Sequence, residues 1–165
     1  MKKHFLLAAG LFMTFAVQYQ TIMAQSLEKM NWFNEPDKWE IRDARTFSMI
    51  VPPKTDYWRI SHYGFTVDDA PFYYALYGGE FEAKVKITGN YVTTFDQMGL
   101  MIRVDHENWI KAGVEYVNGK QNVSAVVTHK TSDWSVVELD KAPRSIWIKA
   151  CLLYTSDAAD DLIGV

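Results

Sequence analysis

The chain has 165 residues, 48% of them hydrophobic and 15% aromatic, with one cysteine and a formal net charge of −3. That content supports one sizeable core, excludes a disordered polymer and suits one domain rather than two. With no concentrated basic face, a phosphate-backbone binder is excluded, and no nucleic-acid partner is expected.

At the N-terminus Lys2, Lys3 and His4 precede "FLLAAGLFMTFAV", and "TIMAQ" offers small-residue cleavage after Ala24. This is the layout of a secretory signal peptide, the apolar run being short for a bilayer span. No cysteine follows it, so anchoring through an acylated cysteine has no support. Residues 1–24 are therefore expected to be a signal peptide. The product is expected to be exported from a bacterium to the periplasm or beyond, with no membrane partner after signal removal.

Next come short runs with period-two alternation, separated by turn residues: "FSMIV", "YWRISHYGF", "FYYALY", "EFEAKVKIT", "QMGLMIRV", "WIKAGVEYV", "KQNVSAVVT", "WSVVEL" and "SIWIKA". None shows sustained helical spacing. Evenly spaced strands rich in Trp, Tyr and Val predict an all-β antiparallel sandwich or jelly roll over residues 25–150.

Asn118-Gly119 is a strong signal for a two-residue type I′ hairpin, because both turn positions need positive φ. Counting back from it pairs Glu115 with Asn122, Gly113 with Ser124, Lys111 with Val126 and Trp109 with Thr128. One face is then Ile110, Ala112, Val114, Val123, Ala125 and Val127, the expected core. A three-residue connection, Asp105-His106-Glu107, keeps the preceding strand in phase. Gln97 then neighbours Glu115, Gly99 neighbours Gly113, Met101 neighbours Lys111, and Arg103 neighbours Trp109.

On the non-core face, Gly99, Gly113 and Ser124 fall in one row. Glycine weakens a strand and leaves nothing to pack, so this row reads as a trough. Its walls are Gln97, Glu115 and Asn122 on one side and Met101, Lys111, Trp109, Arg103 and Thr128 on the other. An indole plate beside carboxylate, amide and ammonium groups suits a sugar, with Trp109 stacking. The same spacing equally admits a bulge or the protein's own chain lying over the glycines.

Asp96 stands at the start of its strand and can approach Glu115, the carboxylate of the trough face. Trp58 and Trp134 converge on the same concave sheet if the jelly roll curves. His62, His106 and His129 are scattered, without a nucleophile and base at matched spacing. "DHEN" at 105–108 has oxygen ligands but reads first as a solvated turn, so neither a metal nor another cofactor is expected. Asn122-Val123-Ser124 fits a glycosylation sequon that matters only in a eukaryotic host. Within residues 25–150 there is no cysteine, which removes disulfides and thiol chemistry.

The final stretch, "CLLYTSDAADDLIGV", breaks with the preceding texture and resembles a translated sequencing-library adapter. Residues 151–165 are accordingly expected to be foreign, with the natural domain truncated near Ala150.

"MNWFNEP", "TDYWRISHYGF", "DQMGLMIRVDHENWIKAGVEY" and "VSAVVTHKTSDWS" together resemble the DUF1349, or regulation-of-enolase, family. The resemblance implies a concanavalin-like jelly-roll β-sandwich of two curved antiparallel sheets. It also implies further strands after Ala150. The Glu-x-Asp-x-x-Glu strand motif of the related glucanases is absent here.

The expected function is non-catalytic, lectin-like carbohydrate binding through Trp109, Lys111, Glu115, Gln97, Asp96, Arg103, Asn122, Thr128, Trp58 and Trp134. The competing classes are a glycoside-processing enzyme built on Asp96 and Glu115 and a protein-interaction or regulatory module using the same face.

Overall fold

The computed structural model describes residues 26–153. The expected signal peptide lies outside these residues, as does the tail from residue 154 on. A short 3-10 turn, Leu27–Lys29, leads into twelve strands and no α-helix among the described residues.

The strands are β1 Asn31–Phe33, β2 Lys38–Asp43, β3 Thr46–Ile50, β4 Tyr57–Arg59, β5 Thr66–Asp68 and β6 Phe72–Tyr74. After them come β7 Phe81–Ile87, β8 Gln97–Arg103, β9 Asn108–Val117, β10 Lys120–His129, β11 Thr131–Glu138 and β12 Ile146–Leu152. All pairings are antiparallel. The protein is an all-β sandwich centred on a four-stranded sheet ordered β11-β10-β9-β8, with β1-β6, β12-β7, β2-β3 and β4-β5 as two-stranded ribbons. Three strands have no counterpart among the alternating runs above: β1, β2 and β5.

The β9–β10 hairpin turns at Asn118 (φ 54°) and Gly119 (φ 78°), both left-handed as a type I′ turn demands. The register follows: Glu115 faces Asn122, Gly113 faces Ser124 and Trp109 faces Thr128. The β8–β9 connection holds the expected phase, with Gln97 opposite Glu115, Gly99 opposite Gly113 and Arg103 opposite Trp109. Asp105 makes that turn by accepting from the Glu107 and Asn108 N–H groups, which holds its carboxyl below the ordinary range. Its carboxylate is thereby committed to the turn, and no cluster of potential metal ligands forms among the described residues.

The central sheet is covered on both sides. Val114, Met98, Leu100 and Ala112 pack against Ile87, Ile148, Val85 and Ile146 of the β7-β12 ribbon, forming one core. A second core stands on the opposite face, where Trp109 and Val126 meet Tyr57 and Trp58 of β4, with Ala70, Phe72, Met101 and Trp134 around them. The face expected to be an open trough is thus the more deeply covered: Val126 is 1% exposed and Trp109 3%, against 46% for Ile110 and 49% for Val127 on the expected core face. Alternation reveals which residues share a face, but not which ribbon will pack on it.

The β12 ladder does not stop at Ala150, where the sequence texture changes. Cys151 pairs with Glu82 and Leu152 with Phe81, so the first residues of the tail extend the ribbon.

Candidate functional site

The trough row is in register, yet it does not form an open furrow. A methyl group on Gly113 would overlap the Met98 carbonyl oxygen and the Gly99 Cα, and one on Gly99 would overlap the Ala112 carbonyl. These glycines are required because the backbones of β8 and β9 approach closely, not because a ligand lies on them. Trp134 explains the remaining small residue. It pairs with Val126, one row away from Ser124 and Gly113. Its indole Nε1 nonetheless donates to Ser124 Oγ (3.1 Å) and to Glu115 Oε2 (3.0 Å). The ring therefore crosses the small-residue row, which a larger residue than Ser124 would block. The chain's own tryptophan fills the furrow.

Beside that indole is a cavity of about 310 Å³ lined by Asp56, Trp58, Tyr63, Phe65, Phe95, Lys111, Glu115, Val126 and Trp134. Its floor comes from β9, where Lys111 and Glu115 flank Gly113 on the same face. Strand β4 supplies Trp58 and is clamped onto the sheet at its far end. The Arg59 backbone N–H donates to Ser132 Oγ (2.9 Å), and its guanidinium bonds Glu107 Oε1 (2.6 Å) and the Lys130 carbonyl (3.0 Å).

The loop from 60 to 65 carries Tyr63 and Phe65 over the cavity. It is closed by Ile60 N–H to the Phe65 carbonyl and Gly64 N–H to the Ile60 carbonyl, both 2.7 Å, and anchored by the Ser61 hydroxyl on the Ser132 carbonyl. Ile60 and His62 both have φ 64°, a left-handed conformation that a β-branched residue adopts only under constraint. Tyr63 stacks on Phe65 at 5.6 Å and meets Trp58 at 5.5 Å and Phe95 at 6.4 Å edge-on. These aromatic rings form the rim.

The charged groups are arranged unequally. Asp56 Oδ1 accepts from Lys111 Nζ (2.7 Å), the Tyr57 N–H (2.7 Å) and Gln97 Nε2 (3.1 Å). Lys111 also donates to the Tyr57 carbonyl at 2.9 Å, so its charge is spent on β4. Glu115, 7% exposed, receives only the Trp134 N–H among the described residues and has no cation partner there. Its Oε1 has no protein donor and is not sealed from the cavity.

Of the residues singled out from the sequence, Lys111, Glu115, Trp58 and Trp134 meet at this cavity. The others do not line it, and each has a structural reason. Trp109 is not a stacking plate: it is buried edge-on against Tyr57 at 6.2 Å. Arg103 forms a bidentate pair with Asp68 at 2.6 and 2.8 Å and lies over the Phe33 and Tyr57 rings. Thr128 is buried, its hydroxyl 2.8 Å from that of Ser132. Asn122 donates to the Lys120 carbonyl at 2.9 Å inside its own hairpin. Gln97 touches the site only through Asp56.

Asp96 is turned away. Its Oδ2 accepts the Val92 and Thr93 N–H groups, both at 2.8 Å, which caps a turn instead of pairing with Glu115. Asp56, Tyr63, Phe65 and Phe95 were missed: the first three lie in connections more than forty residues before β9, and Phe95 lies in the turn just before β8, where strand alternation says nothing about direction. "ISHYGF", with glycine between two aromatic residues, was the available signal.

The class defined so far is an antiparallel β-sandwich holding an aromatic, carboxylate-bearing cavity on one face of its central sheet. The chain belongs to the family described as "Protein of unknown function (DUF1349)", whose model matches residues 32–156. It is 36% identical over 123 residues to "Regulation of enolase protein 1" of Saccharomyces cerevisiae, covering 74% of this chain and 62% of that protein. It is 27% identical over 96 residues to "Uncharacterized protein AN7484" of Emericella nidulans, covering 55% of this chain and 48% of that one. The chain thus spans less than two thirds of either relative. A solved structure described as that of a functionally unknown protein from Saccharomyces cerevisiae superposes with a TM-score of 0.73 at 34% identity, over 78% of this chain and 69% of the other.

Proposed function

We propose that this chain is a non-catalytic carbohydrate-binding domain whose site is the aromatic cavity beneath the loop from 60 to 65. The observation that carries this reading is the cavity itself, about 310 Å³ walled by Trp58, Tyr63, Phe65, Phe95 and Trp134, with a Glu115 oxygen at its floor. The size lies at the lower end of the range of about 300–1,000 Å³ found for small-molecule sites, enough for one sugar ring with an extension past the rim. Sugar C–H faces stack on indole and phenyl rings, while hydroxyls donate to a carboxylate. Constrained backbone at Ile60 and His62 presents the rim rings in advance of binding, which lowers the ordering cost of association. The Lys2-Lys3 apolar segment ahead of Ala24 supports export of this domain.

A glycan array probed with the whole chain, followed by calorimetry on each retained glycan, tests the proposal. Tyr63 and Phe95 are 43% and 45% exposed, so truncating them is expected to cost less stability than removing a buried ring. Tyr63→Ala with Phe95→Ala is expected to weaken binding by about tenfold or more. An empty array, or unchanged affinity in the double variant, overturns the assignment. Turnover of a bound glycan that is abolished in Glu115→Gln would make the domain an enzyme instead.

A further inference from the structure

The charge pattern of the cavity specifies its ligand more narrowly. Of the two carboxylates lining it, Asp56 is compensated: one of its oxygens collects a lysine ammonium, an amide N–H and a backbone N–H. Glu115 is not. It is more than nine-tenths buried, has no cation within ion-pairing distance among the described residues, and keeps a single neutral donor, the Trp134 indole. A buried carboxylate loses hydration that one neutral N–H does not replace. Lys111, the cation on the same strand, is four residues away, roughly 13 Å along the backbone at about 3.3 Å per residue. Its ammonium is fixed on Asp56 and the Tyr57 carbonyl.

The cavity that Glu115 lines is also lined by Trp58, Tyr63, Phe65, Phe95 and Trp134, the last in direct contact with its carboxylate. Ring faces carry negative potential and attract cations, most strongly where water is excluded. A neutral hydroxyl would use the Glu115 oxygen but not the ring faces. An ammonium uses both, and it also restores the missing counter-charge.

We propose that the carbohydrate held in this cavity bears a free amine, seated as an ammonium between Glu115 and the aromatic rim. This rests on the carbohydrate-binding reading and narrows it to de-N-acetylated amino sugars.

The test uses the whole chain and three oligosaccharides of equal length and linkage: glucosamine, N-acetylglucosamine and glucose oligomers, titrated calorimetrically at mildly acidic pH. The glucosamine oligomer is expected to bind at least about tenfold more tightly than either neutral one. Glu115→Gln, which keeps an oxygen for the Trp134 N–H, is expected to abolish that preference by weakening glucosamine-oligomer binding at least about tenfold. Phe95→Leu tests the same arrangement without altering the buried carboxylate, and a preference reduced by about threefold is expected. Equal affinity for the three oligomers, or a preference that survives Glu115→Gln, overturns the ammonium assignment and leaves carbohydrate binding intact. Binding of none of them, nor of any arrayed glycan, overturns both.

Discussion

The two faces of the central sheet are built from the same four strands, yet they do different work. On one face Val114, Met98, Leu100 and Ala112 make a dry aliphatic core with the β7-β12 ribbon. Elsewhere on that face the core thins out, and Ile110, Val127 and Val137 reach solvent at 46%, 49% and 68% exposure. The other face buries residues that a polarity scale would leave outside: Glu115, Asn122, Ser124, Thr128 and Ser132. Each of these side chains has at least one partner, and the Glu115 Oε1 oxygen alone among their carboxylate and hydroxyl oxygens is left without one among the described residues. Aliphatic faces pack by shape, whereas the aromatic-polar face packs by placed hydrogen bonds. Only such a face leaves a shaped cavity with a carboxylate in it.

The largest expected effect separates packing from recognition. Trp109→Ala removes a buried indole from the aromatic face and is expected to cost about 3–5 kcal/mol in urea unfolding. A near-neutral result would mean that Trp109 is a surface plate after all, and the two faces would not be equally structural. Gly113→Ala comes next: its methyl group meets the β8 backbone, with an expected loss of about 1–3 kcal/mol by the same measurement. An unchanged midpoint would show that the strands separate freely and that the glycine row has another cause.

Alkaline titration sharpens the comparison further, because it reads only the aromatic face. Burial, outweighing the neighbouring Arg103 charge, pushes the Tyr57 hydroxyl up from 10.0 to about 12. A folded-state value above the unfolded one means that the stabilisation is complete below about 10 and is lost as the pH rises to about 12. Tyr57→Phe should flatten the fall in unfolding midpoint across that window relative to the parent, and parallel curves would contradict burial of this hydroxyl. The smallest effect is expected on the opposite face. Val127→Thr, at a half-exposed position, should change stability by no more than about 0.5 kcal/mol. A larger loss would indicate that something covers this strip.

Local and short-range features were legible in the residues. Asn118-Gly119 implied a I′ turn, and the Asp105-His106-Glu107 connection preserved phase, so the register from Gln97 to Thr128 follows from turn chemistry and period-two geometry alone. The mixed, polar content of the Lys111–Glu115 face also marked the face on which the cavity lies. Less accessible was the occupant of that face. Trp134 crosses the small-residue row from its own strand, and β4 arrives from some fifty residues upstream, fastened by Arg59 to Glu107 and Ser132.

Alternation along a strand is a property of neighbouring residues, and it fixes which side chains share a side of a sheet. Which side becomes deeply buried depends on contacts between segments distant in the chain, where loop closure and packing are decided together. For that reason the position of Glu115 on the non-core face could be read from the residues. That it is buried without a counter-charge, in a cavity it shares with Trp58, Tyr63, Phe65 and Phe95, follows only once β4 and the loop from 60 to 65 have folded over β9.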